Sequence, residues 1–200
     1  MNSGFISYII IAIVTILILF DWQKLAIGQC SRMAVVAFLL AWIVAVNMNW
    51  SITDQIGGSY VYVPLLISIA LLQKSWTVQE KLDSFSFALL LGAFHTFIRY
   101  IQSLDPFLVL IHPFVDGMLL GCGLILYYTR DLRAQIFILS ISFILSDLAW
   151  GIIFHKWLMP WVGAEPFQDR WWLYAIMLRF MTISWEMIVA KIRAFCYDEA

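Results

Sequence analysis

The stretch Phe107–Tyr128, FLVLIHPFVDGMLLGCGLILYY, decides the class of this chain. It is long enough to cross a bilayer, which takes about 20 mostly apolar residues in helical form. Near its middle stands one carboxylate, Asp116, with His112 one helical turn earlier. An ionisable side chain at such a depth is costly, so it faces the protein interior or an aqueous cavity rather than lipid.

The flanking sequence has the same character. Of 200 residues, 63% are hydrophobic and only 12% are charged, against roughly 25% charged in soluble domains. A soluble domain of this size could not hide so much apolar surface, so the expected partner of most of the chain is the lipid bilayer. No basic block of the kind that holds a phosphate backbone occurs, which argues against nucleic acid.

Seven segments qualify as spans: about 4–20, 33–50, 60–76, 84–101, 107–128, 134–154 and 171–195. Trp22, Trp50, Tyr60, Trp76, Tyr100, Tyr127, Tyr128, Trp171 and Trp172 lie near their ends, as an interfacial aromatic belt requires. The runs are continuous and too long for the alternating ten-residue strands of a barrel. Connections are short, with no linker rich in Pro, Gly or Ser. The expectation is an all-α membrane bundle of seven transmembrane helices, in one domain over residues 1–200.

Orientation follows from Lys and Arg in the loops. With seven spans, Lys24, Arg32, Lys74, Lys81, Arg130, Arg133, Lys191 and Arg193 fall on one side, and Arg99, Lys156 and Arg170 on the other. That bias sets the N-terminus outside and the C-terminus in the cytosol. The first apolar run has neither a basic n-region nor a small-residue cleavage site, so it reads as a retained helix. Cys30, Cys122 and Cys196 form no metal-ligand spacing, and neither a metal nor another cofactor is expected.

The interior polar residues carry the functional question. At a rise of about 1.5 Å per residue, His95 and His112 lie about 8–9 Å from the outer helix ends. Asp116, Asp147 and Arg179 lie about 10–14 Å in, and Glu186 about 22 Å in. His95 and Arg99 share a helix face, as do His112 and Asp116, at a spacing of i,i+4. Arg179 and Glu186, like Ser140 and Asp147, align at i,i+7. Each stripe is expected to point inward, with Arg99 and Arg179 as the cationic partners of Asp116 and Asp147.

Two readings of this cluster stand side by side. Paired charges can fix helix register in a bundle. Alternatively, the groups line a cavity open to the outside that holds a small polar ligand or passes protons. Gly117 and Gly121 form a GxxxG pattern, which is read as close packing within the chain beneath Asp116.

Several activities are argued against. No GxSxG, HExxH or P-loop is present, so no catalytic residue is assigned. The seventh segment has its only lysine, Lys191, near the cytosolic end, too far out for a retinal Schiff base. No Pro-Gln dipeptide marks a small sugar transporter.

A chain of this length and helical layout has Asp105-Pro106 opening a long apolar span. A basic turn with Arg130 and Arg133 follows, and Asp147 stands inside the next helix. In these features it resembles the YphA-like small integral membrane proteins of spore-forming Gram-positive bacteria. The resemblance implies a multi-pass protein of the bacterial cytoplasmic membrane, in a family without an assigned activity, and brings no catalytic residues to carry over. The expected role is non-enzymatic: a structural, sensory or accessory component. The alternative is a small transporter or ligand-binding protein, proton-linked or not, using the cluster.

Overall fold

Each apolar segment contains a helix, whose ends follow local backbone chemistry more closely than hydropathy. The computed structural model describes residues 4–20, 31–53, 56–105, 107, 109, 112–154 and 161–198. Among these lie seven α-helices: α1 Phe5–Leu19, α2 Arg32–Val46, α3 Tyr62–Leu72, α4 Val78–Leu104, α5 Pro113–Tyr128, α6 Leu132–Phe154 and α7 Glu165–Asp198. Helices at Val78–Leu104, Leu132–Ile153 and Glu165–Phe195 are long and apolar enough to cross a membrane, and the four others are shorter apolar helices.

The fifth segment shows why the boundaries move. Pro113 is the first helical residue of α5, where a proline loses no hydrogen bond that the helix needs. Its ring disfavours helical geometry at His112, so α5 starts six residues after the apolar run does. Asp105 caps the end of α4 and accepts a hydrogen bond from the Phe107 N–H at 2.9 Å. Pro106, Lys24, Lys156 and Cys30 lie outside the described residues. The start of α4 is a capping box, in which the Thr77 hydroxyl accepts from the Glu80 amide and the Glu80 carboxylate accepts from the Thr77 amide.

The loops add what an all-α expectation omits, a small three-stranded sheet. Strands β1 Asn49–Thr53 and β2 Ile56–Ser59 form an antiparallel hairpin, and β3 Trp161–Val162 joins β2 in parallel. Gly58 makes this possible. A Cβ there would lie 2.8 Å from the Val162 carbonyl oxygen and 2.9 Å from the Trp50 ring, so only glycine admits the third strand. The short strands hide in the sequence because they interrupt apolar runs without a long alternating pattern of their own.

Packing centres on α6 and α7. The most extensive contact is α4 on α6, while α7 touches α1, α5 and α6. Gly92 lets α4 approach closely, since a Cβ there would lie 3.1 Å from the Ser142 carbonyl oxygen and from Leu145 Cβ. Polar side chains tie the same helices together. The Thr96 hydroxyl donates to Ser146 Oγ at 3.2 Å, Trp171 Nε1 to Ser140 Oγ at 3.2 Å, and Gln135 Nε2 to Thr182 Oγ1 at 3.0 Å. Such contacts average about 0.6 kcal/mol each between membrane helices. Trp42 stacks on Trp171 at 5.0 Å and meets Trp172 edge-on at 5.4 Å, which docks α2 against α7.

The start of α1 is capped from afar. The Asp169 carboxylate on α7 accepts from the Gly4 amide and from the Ser7 amide, both at 2.8 Å. A carboxylate suits the positive end of a helix dipole. This bond sets the N-terminal end of α1, the N-terminal end of α7 and the sheet at one end of the bundle.

Candidate functional site

At that end the helices part around a half-open cavity of about 580 Å³. It is lined from α1, α4, α5, α6 and α7, and its ionisable lining is His95, Arg99, His112, Asp147, Asp169, Arg170 and Tyr174. Four of these, His95, Arg99, His112 and Asp147, belong to the cluster expected from the sequence.

Asp147 joins several elements at this end. Its Oδ2 accepts from the Tyr62 hydroxyl at 2.7 Å and from the Gly163 amide at 2.9 Å. Gly163 has φ +70, a left-handed conformation that glycine adopts without cost and that helps present its N–H to the carboxylate. Asp147 Oδ1 lies 4.0 Å from Arg99 Nη1, a loose ion pair. The Arg99 guanidinium instead stacks over the Trp150 ring, 4.2 Å from its centroid. Within α6, Trp150 and Asp147 are three residues apart, so both reach the same side chain.

His95 lies deeper, one helical turn inward from Arg99, and is only 6% exposed. Its ring meets Phe143 and Tyr174 edge-on, at 5.3 Å and 5.4 Å. Neither ring nitrogen has a hydrogen-bond partner among the described residues. Gly121 accounts for the fit: a Cβ there would drive into His95 Nε2, and it would also lie 3.2 Å from Tyr174. A Cβ at Gly117 would stand 3.3 Å from the Tyr174 hydroxyl, whereas one at Gly123 would meet open space. The GxxxG face is therefore packed within the chain, against α4 and α7.

The remaining expected residues lie elsewhere. Asp116 is buried on α5 beside Gly117 but is not part of the cavity lining, and Arg179 is half-buried farther along α7. Glu186 is exposed, so the expected inward stripe from Arg179 to Glu186 is not formed. The reason is its level in the bundle. Arg130, in the turn between α5 and α6, lies over the neighbouring Trp185 at 5.4 Å. This turn of α7 has reached the opposite end of the bundle from the cavity.

The sequence reading missed Tyr62, Tyr174, Asp169 and Arg170. Asp169 and Arg170 fell in the loop before the seventh expected span.

A model of the YphA-like integral membrane protein family matches residues 3–199. The chain belongs to that family. Among curated proteins and among solved structures, nothing matches. The mostly helical architecture of this YphA-like protein and its several apolar helices agree with an integral membrane family. Among the described residues no group of three or more His, Cys, Asp or Glu is placed to hold a metal ion.

Proposed function

We infer that this YphA-like chain is a non-enzymatic accessory or sensory component of the bacterial cytoplasmic membrane that binds a small ligand at the outer end of its bundle. It crosses the membrane seven times, with the N-terminus outside and the C-terminus in the cytosol. The basic-residue bias of the loops supports this orientation. The cavity carries the functional reading. Ionisable side chains from α4, α6, α7 and the residue before α5 converge on about 580 Å³ of space, the size range of small-molecule sites. Helix-register pairing alone needs no such space.

Asp147 serves this reading as a positioning residue, because Tyr62 and Gly163 already hold one of its oxygens. It ties α3, α6 and the turn after β3 into one wall.

The test is native mass spectrometry of the chain, extracted in a mild uncharged detergent. A small molecule bound to the wild type is expected, together with its loss in Leu173→Trp, which fills the cavity from its half-buried wall. A wild-type chain that carries no small molecule, or an equal load in Leu173→Trp, overturns the reading. Topology is tested separately in a background without Cys30, Cys122 and Cys196. Asn47→Cys should react with a membrane-impermeant maleimide in intact cells, and Gln79→Cys should not. The reverse result reverses the orientation.

A further inference from the structure

We propose that the cavity takes an amphipathic anion, a carboxylate or phosphate head on an apolar body, with its head between Arg99 and Arg170. This rests on the reading of the cavity as a ligand site. The argument starts from donors and acceptors. Arg99 and Arg170 both line the cavity. A guanidinium has five N–H donors and no acceptor.

Among the described residues, Arg170 spends only its Nε–H, on the Pro166 carbonyl at 2.9 Å. Arg99 makes its nearest carboxylate contact at 4.0 Å and otherwise lies flat on Trp150. The two carboxylates of the lining are largely occupied by other donors. Asp147 Oδ2 accepts from Tyr62 and Gly163, and Asp169 caps α1. Formal charges balance, but hydrogen-bonding capacity does not. The cavity holds a surplus of charged donors, and the carboxylate oxygen nearest to Arg99 is Asp147 Oδ1 at 4.0 Å.

Below them sits the unpartnered His95, buried and part of the same lining. A neutral imidazole offers one donor and one acceptor, which suits a head group with several oxygens. The wall also carries apolar Ile98, Phe143, Phe167 and Leu173, alongside the polar Gln102 and Ser146. An anion without an apolar body would leave that wall uncovered. Planar bidentate recognition of carboxylate or phosphate is what paired guanidinium groups do best. Two sources share this chemistry, a free amphiphile such as a fatty acid and the head of an anionic phospholipid.

The experiment is cysteine accessibility in the full chain lacking its native cysteines, reconstituted in phosphatidylcholine nanodiscs. Gln102→Cys on the lining is modified by an anionic sulfonatoethyl or a cationic trimethylammonium-ethyl thiosulfonate of similar size. The exposed Asn47→Cys is the reference. The anion-to-cation rate ratio at Gln102→Cys should exceed the reference by roughly tenfold, the lower end of electrostatic focusing in a charged cleft. Arg99→Gln and Arg170→Gln should each lower it, and Arg99→Lys should largely keep it. Equal ratios at the two positions overturn the anion proposal while leaving an open cavity. Failure of both reagents to react overturns the ligand-site reading itself.

Protection by added decanoate, with none from decyltrimethylammonium, assigns a free amphiphile. Protection by phosphatidylglycerol in the disc, with none from decanoate, assigns the lipid head, and protection by both supports the shared chemistry. Protection by neither, or equal protection by the cation, overturns the proposal.

Discussion

Arg99 Nη1 stands 4.0 Å from Asp147 Oδ1, while the other oxygen of that carboxylate is bound at 2.7 Å by the hydroxyl of Tyr62. The neutral donor has the shorter contact and the cation the longer one. A carboxylate arranged in this way acts first as a joint between α3 and α6, and it leaves the guanidinium largely unspent. The first prediction follows from that division.

Tyr62→Phe should destabilise the chain by about 1 kcal/mol. That lies between the ~0.6 kcal/mol average for polar contacts between membrane helices and the ~1.5–3 kcal/mol of hydrogen bonds to charged groups. Asp147→Ala should cost more, about 3 kcal/mol, because it strands Tyr62, the Gly163 amide and the Arg99 charge together. Thermal unfolding in detergent measures both, and a larger loss in Tyr62→Phe than in Asp147→Ala would contradict the arrangement.

Asp169→Ala should loosen the start of α1. A lost helix cap costs about 1 kcal/mol, and this cap also fastens α1 to α7. The expected readout is faster hydrogen exchange at the Gly4 and Ser7 amides, with little change in α4. Asp169→Asn, which keeps an accepting oxygen, should show a smaller effect.

Glycines on one helix should respond differently. Gly121→Ala pushes a methyl group against His95 and Tyr174, an overpacking expected to cost about 1–3 kcal/mol. Gly123→Ala meets open space and gains helix propensity, so it should be neutral or slightly stabilising. Equal melting temperatures for the two variants would show that α5 does not pack as described.

Glu80 supplies a pH dependence at the start of α4, ahead of the expected span from residue 84. The Thr77 backbone N–H, and then its hydroxyl, hold the Glu80 carboxylate below its ordinary value. A carboxylate whose folded value is depressed stabilises fully above its unfolded value, near 4.3, and loses that contribution as pH falls through the folded one. Fraying of the first turn of α4 should therefore increase as pH drops below about 4.3, and Glu80→Gln should remove the dependence. Amide exchange at Glu80 and Lys81 reads it directly.

Much of the candidate site was legible and part was not. His95, Arg99, His112 and Asp147 announced themselves as ionisable groups in apolar segments, with Arg99 nearer the outer end than the rest. Angular spacing could show that His112 and Asp116 share a face of α5. It could not show that the cavity is bounded by His112 and Gly117 while Asp116 lies outside its lining. It also could not show that α7 reaches the far end of the bundle by Glu186.

Composition, segment length and loop charge set the class of the protein by themselves, because a chain this apolar must meet lipid and a buried charge must face inward. Family membership is likewise carried by the linear sequence, through the family-model match over residues 3–199. Tertiary structure alone decided which charges meet. The Asp147 joint draws on residues 85 and 16 positions away, and the Asp169 cap acts 165 and 162 positions away. The third strand depends on one missing side chain, at Gly58. Periodicity reports on a single helix, whereas a cavity exists only between several.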